Sequence, residues 1–134
     1  MPEPNTPSGE VDQFILEQID SVPHLEALLL IWRTRPKSWS INEMAKSLYV
    51  PAELAENILR DLAQRNLIEE VTKSPREYHY LSSRDQDRLI ALVDTTYRRE
   101  LIRISRMIHA RAPSALREFA RAFRFTREKD KEKE

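Results

Sequence analysis

Asn57, Arg60 and Gln64 stand three and four residues apart, a spacing that stacks side chains on one face of an α-helix. They are the types that contact base edges: asparagine and glutamine suit adenine, and arginine forks onto guanine. Glu53 and Glu56 fall on the same face. A carboxylate there can accept from a cytosine amino group, but it also meets repulsion from nearby phosphates. Lys46 upstream, with Lys73 and Arg76 downstream, are cations suited to a phosphate backbone. The electrostatic platform is poor. Across residues 40–68, Lys46, Arg60 and Arg65 stand against Glu43, Glu53, Glu56 and Asp61, a sum of −1.

Other chemistries are badly served. The 134 residues hold no cysteine, which excludes disulfides, thiolate metal sites and cysteine nucleophiles. Gly9 is the single glycine, whereas phosphate-cradling loops and dinucleotide fingerprints need several. His24, His79 and His109 are far apart, and none has a ligand partner at i+3 or i+4 on one helix, so no metal site is expected. Serine, histidine and aspartate are present without a nucleophile motif to organise them; no catalytic residue and no cofactor are assigned. Asp85 and Asp87 suit the dipole at a helix start better than acid–base work. Trp32 and Trp39 are expected in the core. Tyr78 and Tyr80 are expected as the packed face of a hairpin rather than a stacking surface for bases.

Positioning the candidate groups falls to a run of helices. Residues 1–10 hold three of the eight prolines and no bulky apolar residue, and are expected to be a disordered tail. Val11, Phe14, Ile15 and Ile19 predict a short amphipathic helix over 11–19. Ser21 caps a second helix, with Pro23 in its first turn; "HLEALLLIWR" is apolar nearly all round and belongs at the centre. Ser40 and Glu43 form a capping box that opens a helix over 41–48. Pro51 starts the next helix, to about residue 65, with Leu54 or Ala55, Ile58, Leu59 and Leu62 inward and Asn66 as a left-handed terminator. "LIEEV" and "EYHYLS", separated by "TKSPR", predict a two-stranded hairpin of 67–71 with 77–81.

From Ser83 the pattern changes. Ile90, Val93, Tyr97, Leu101, Ile104 and Ile108 recur at steps of 3, 4, 4, 3 and 4 with no proline or glycine before Pro113. The spacing predicts one helix over 83–112, roughly 40 Å long. A short amphipathic helix follows, with Leu116, Phe119, Ala120 and Phe123 on one face, and 128–134 is a charged tail. A lone long helix has nowhere else to bury its stripe, so those six residues are expected to form a homodimer interface. The longest apolar run, over 27–32, is far too short to span a bilayer. "MPEPNTPSGE" has neither the basic nor the apolar region of a secretion signal, and a cytoplasmic protein is expected.

Helix, capped helix, corner, helix and two-stranded ribbon, in that order over residues 22–82, resemble the winged helix-turn-helix domain. "LAQRNLIEEV" carries the likeness best: in winged-helix regulators the groove-reading helix commonly ends in such an Arg-Asn/Gly-Leu-Ile/Leu turn and enters the wing. The long helix after it looks like the dimerisation helix of MarR-type and PadR-type regulators. The resemblance implies a mainly α fold with a domain over 11–82 and a dimerisation segment over 83–127. It implies a non-catalytic, transcription-regulator-like protein that binds double-stranded DNA through Lys46, Glu53, Asn57, Arg60, Gln64, Lys73 and Arg76.

The charge pattern keeps a second reading open. Residues 1–82 hold 8 Lys+Arg against 13 Asp+Glu, a sum of −5, and residues 83–134 hold 14 against 9, a sum of +5. Between 95 and 127 lie Arg98, Arg99, Arg103, Arg106, Arg111, Arg117, Arg121, Arg124 and Arg127 against Glu100 and Glu118. All nine are arginine, which suits bidentate pairing with carboxylate or phosphate. Such a run can neutralise the acidic half across a dimer, grip nucleic acid, or lie on an anionic membrane. The alternative to DNA binding is a protein–protein adaptor in which the same fold presents an acidic face and the Arg-rich C-terminal helix contacts an acidic partner or membrane surface.

Overall fold

The apolar run "HLEALLLIWR" settles the centre of the molecule. In the computed structural model, which describes residues 7–110, it forms α2 (Val22–Arg33) with Leu25, Ala27, Leu28, Leu29 and Ile31 buried. Ser21 caps it, its hydroxyl accepting from the His24 backbone N–H, and Pro23 sits in the first turn where an N–H has no helical partner to lose. Around α2 pack α3 (Ile41–Leu48), α4 (Ala52–Gln64), α5 (Arg84–Arg99) and a small sheet. On the outside, α1 (Pro7–Gln18) lies against α5 and α6 (Leu101–Ala110).

The helical corner is built by local chemistry. Ser40 Oγ accepts from the Glu43 N–H at 3.1 Å, and the Glu43 carboxylate accepts from the Ser40 N–H at 2.9 Å, so the expected capping box opens α3. Tyr49 closes it in the left-handed region, φ 58°, with the Val50 N–H donating back to the Ala45 carbonyl at 3.0 Å. Asn66 does the same for α4 at φ 61°: its N–H reaches the Ala63 carbonyl and that of Leu67 the Leu62 carbonyl, at 3.0 and 3.1 Å. Ala55, Ile58, Leu59 and Leu62 are the buried stripe of α4. The choice between Leu54 and Ala55 falls on Ala55, since Leu54 is exposed.

The hairpin forms with longer bounds than expected, β2 (Ile68–Lys73) against β3 (Arg76–Tyr80), and a register shift between Glu70 and Thr72. A short strand, β1 (Trp39–Ser40), pairs with β3 at Trp39–Tyr78 and makes the sheet three-stranded in the order β1-β3-β2. Two residues carry no periodicity, so no sequence signal marks this strand. Trp32, Trp39, Tyr78 and Tyr80 are all buried, with Trp32 and Tyr80 edge to face at 5.1 Å. The fold is mainly helical with a winged ribbon.

Three expectations are corrected. The tail expected over 1–10 is helical from Pro7, because Pro suits a first helical turn, Gly9 is buried, and Glu10 pairs with Arg88 of α5 at 2.8 Å. The single helix over 83–112 is broken at Glu100, whose φ of −130° and ψ of 44° leave the helical region. No proline or glycine causes the break. Turning there lets α6 pack on α1, burying Ile104 and Ile108, while Arg103 donates to both oxygens of Asp12 at 3.1 and 3.0 Å. The third correction follows. Ile90, Val93, Tyr97, Ile104 and Ile108, expected to face a second copy, are buried in this chain's own core, and only Leu101 of the six is exposed. The stripe did have somewhere else to go.

Among the described residues, the basic part meets the acidic part within one chain at Arg88–Glu10 and Arg103–Asp12. Arg33 and Arg98 both donate to the buried Asp94, and Tyr97 donates to Glu26 at 3.2 Å. Burial, then the Glu26 charge, pushes the Tyr97 phenol up, and the Asp12 hydrogen bond holds the Arg103 guanidinium above its ordinary value. The helix expected after Pro113, with Leu116, Phe119, Ala120 and Phe123, lies outside the described residues. So do Arg111, Arg117, Arg121, Arg124 and Arg127.

Candidate nucleic-acid interface

Because α4 buries one stripe, it must present the other. Glu53, Asn57, Arg60 and Gln64 are exposed, as expected, and Glu56 is half-buried among them. Pro51 at the N-cap offers no side-chain acceptor, so the first turn of α4 has no side-chain cap. Lys46 is exposed on α3 one corner away, and Lys73 and Arg76 flank the tip of the wing.

Glu56, read from the sequence as an acceptor for a cytosine amino group, instead joins two of the candidate cations. Its Oε2 lies 3.5 Å from Arg60 Nη2 and 3.4 Å from Arg76 Nη1, tying α4 to the wing. Arg76 Nε also lies 3.5 Å from Glu70, and His79 is 2.7 Å from Glu69 across the hairpin. The three arginine pairs are long and open to solvent, each worth at most about 1 kcal/mol, so a polyanion can compete for the arginines. The signal for Arg60 was in the sequence as an i, i+4 pair; that for Arg76 was not, since it lies 20 residues from Glu56. Over α4 and the wing, Arg60, Lys73 and Arg76 face Glu53, Glu56, Asp61, Glu69, Glu70 and Glu77, three positive charges against six negative.

Supporting the wing from behind, Ser83 caps α5 and Asp87 accepts from the Ser82 hydroxyl at 2.6 Å. Chiefly the Ser82 hydrogen bond holds the Asp87 carboxyl below its ordinary value, and burial pushes the Tyr80 phenol well up. Asp85 and Asp87 thus sit at the helix start, with Asp87 held in that capping. Elsewhere the fold gathers residues that the sequence left apart: His24 meets Asp61 of α4, 37 residues away, at 2.8 Å.

A capped helix, a tight corner, a second helix with an exposed polar face, and a ribbon beside it define a winged helix-turn-helix protein. Among solved structures the chain is similar to MepR of Staphylococcus aureus, a transcription regulator of the multidrug efflux pump MepA. The identity is 16% and the TM-score 0.50, over 92% of this chain and 89% of MepR's. It is similar to MepR in a DNA complex at 15% identity and TM-score 0.52, over 77% of this chain and 90% of the other. RV1404 from Mycobacterium tuberculosis matches at 17% identity and TM-score 0.52, over 91% and 81%. At such identities the likeness is one of fold, and it bears out the MarR-type winged-helix resemblance. By sequence, no family model and no curated protein match the chain.

Proposed function

We propose that this protein is a DNA-binding, transcription-regulator-like module without catalytic activity, which lays α4 in the major groove and sets its wing against the flanking backbone. The observation that carries the proposal is the shared exposed face of Asn57, Arg60 and Gln64, flanked by the wing cations Lys73 and Arg76. The fold shared with MepR, whose structure includes a DNA complex, supports it. In this reading Asn57 and Gln64 address adenine and Arg60 guanine. Lys46, Lys73 and Arg76 meet phosphates, and Glu53 accepts from cytosine or discriminates against wrong bases. Arg60 and Arg76 exchange Glu56 for DNA as they engage. A homodimer would supply a second groove-reading helix; with the expected stripe buried, the exposed pair Leu101 and Ile102 of α6 is, among the described residues, an adjacent apolar pair open to a copy.

Fluorescence anisotropy with labelled random duplex at low salt tests this. Binding should weaken steeply with added salt, and Lys73→Ala should flatten that slope by about one unit of log K per log salt. Absence of binding to any duplex at low salt would overturn it. The excess of carboxylates on α4 and the wing, six against three cations, favours the second reading in that event: an adaptor whose α4 and wing dock a basic protein surface.

A further inference from the structure

Beneath α4, away from the exposed face, lies a polar cluster that DNA contact does not use. Asp20 and His24 are 4% and 5% exposed, at the junction between α1 and α2, and Asp61 comes from α4. His24 Nε2 lies 2.8 Å from Asp61 Oδ2 and 4.0 Å from Asp20 Oδ2, and ligand atoms of all three residues lie within 4.8 Å of one another. Arg65 Nη2 donates to both oxygens of Asp20, at 2.9 and 3.1 Å, and its Nη1 to the Glu17 carbonyl at 3.2 Å. With the imidazole neutral, two carboxylates and one guanidinium leave a net negative charge around Nε2. A buried charge of that kind favours a cation at its centre.

The other edge of the ring is already oriented. Ser21 Oγ lies 2.6 Å from His24 Nδ1 and accepts the His24 backbone N–H at 3.3 Å. A metal-ligating histidine characteristically donates its second ring N–H to such an oxygen, which sets both tautomer and ring plane. The geometry points to a binding site for one divalent transition-metal ion, ligated by His24 Nε2 and one carboxylate oxygen each from Asp20 and Asp61. On binding, Nε2 loses the proton it shares with Asp61, and Nδ1 carries it toward Ser21 Oγ, so the ring stays neutral. Zinc bonds of about 2.0–2.2 Å at tetrahedral angles separate ligand atoms by roughly 3.3 Å. The 2.8 Å pair therefore opens by about half an ångström, and the 4.0 Å pair closes by slightly more. Asp61, with a side chain 36% exposed, provides the entry path. One nitrogen and two carboxylate oxygens suit Zn²⁺ or Co²⁺ over Mg²⁺ and Ca²⁺, which prefer all-oxygen sets. The bound ion pins α4 to the α1–α2 junction.

The test uses the full chain stripped with a chelator, then titrated with Zn²⁺, Co²⁺ or Mg²⁺ while melting temperature, calorimetric heat and the Co²⁺ visible spectrum are recorded. Zn²⁺ at micromolar concentration is expected to bind one to one and raise the melting temperature by several degrees, with no response to Mg²⁺. Asp61→Asn, at the partly exposed ligand, should weaken Zn²⁺ binding at least about tenfold. His79→Gln, which removes the His79–Glu69 surface pair, should leave it unchanged. Failure of Zn²⁺ and Co²⁺ to bind the wild-type chain overturns the site and leaves a salt-bridge cluster only. Equal affinity in wild type and Asp61→Asn, or loss in His79→Gln, also overturns it by moving the ion elsewhere.

Discussion

Ile104→Ala should destabilise the protein by about 3 kcal/mol, while Leu101→Ala, one turn earlier on the same helix, should cost under about 0.5 kcal/mol. Ile104 and Ile108 are 0% exposed against α1, whereas Leu101 is 49% and Ile102 65% exposed. Truncating isoleucine to alanine removes three carbons, about 2.4 kcal/mol at roughly 0.8 per methylene. The cavity left where α6 meets α1 adds to that, within the measured range of about 2–5 kcal/mol for such changes. With a urea slope of about 1–3 kcal/mol per molar, the Ile104→Ala midpoint should fall by about 1–3 M with the slope unchanged. The loss should also be the same at micromolar and tenfold lower protein concentration, because the contact is made inside one chain. Equal costs for Ile104→Ala and Leu101→Ala would refute the packing of α6 on α1. A loss that deepens on dilution would mean that the helix turns to a second copy instead.

Tyr49 sits at φ 58° and the residue is 94% exposed, so Tyr49→Gly should relieve left-handed strain at little cost in packing and leave stability unchanged or up to about 1 kcal/mol higher in urea unfolding. Glu56→Gln should release Arg60 and Arg76 and raise duplex affinity in anisotropy titrations more than Glu53→Gln does; Arg60→Ala should relax base preference by about 1–3 kcal/mol. The Glu43 carboxyl is held below its ordinary value of 4.5, chiefly by the Ser40 N–H and then by Lys37. Its stabilising contribution is therefore complete above that value and is lost as pH falls through the lowered one. Urea midpoints measured from neutral to acidic pH should decline less below pH 4.5 in Glu43→Gln than in wild type.

What local chemistry can write, the sequence carried by itself. Ser40 with Glu43, Ser21 with Pro23, and Asn66 at φ 61° act within one turn of chain, so the helix ends around the corner were legible without any knowledge of the fold. The stripe of Ile58, Leu59 and Leu62 likewise determined which side of α4 is outward, and with it the exposure of Asn57, Arg60 and Gln64. Periodicity, however, says that a stripe will be buried and not against what. Ile90 through Ile108 read as one seam for a partner, yet α1 covers part of it, and the chain bends at Glu100 to let it do so. No residue at that bend breaks helices on its own; the energy comes from burying Ile104 and Ile108 and pairing Arg103 with Asp12, 91 residues away. Side-chain pairs across such distances have no signature along the chain. Glu56 meeting Arg76, and Asp61 meeting His24, exist because packing of α2, α4 and the wing brings them within reach, and only the tertiary structure could place them there.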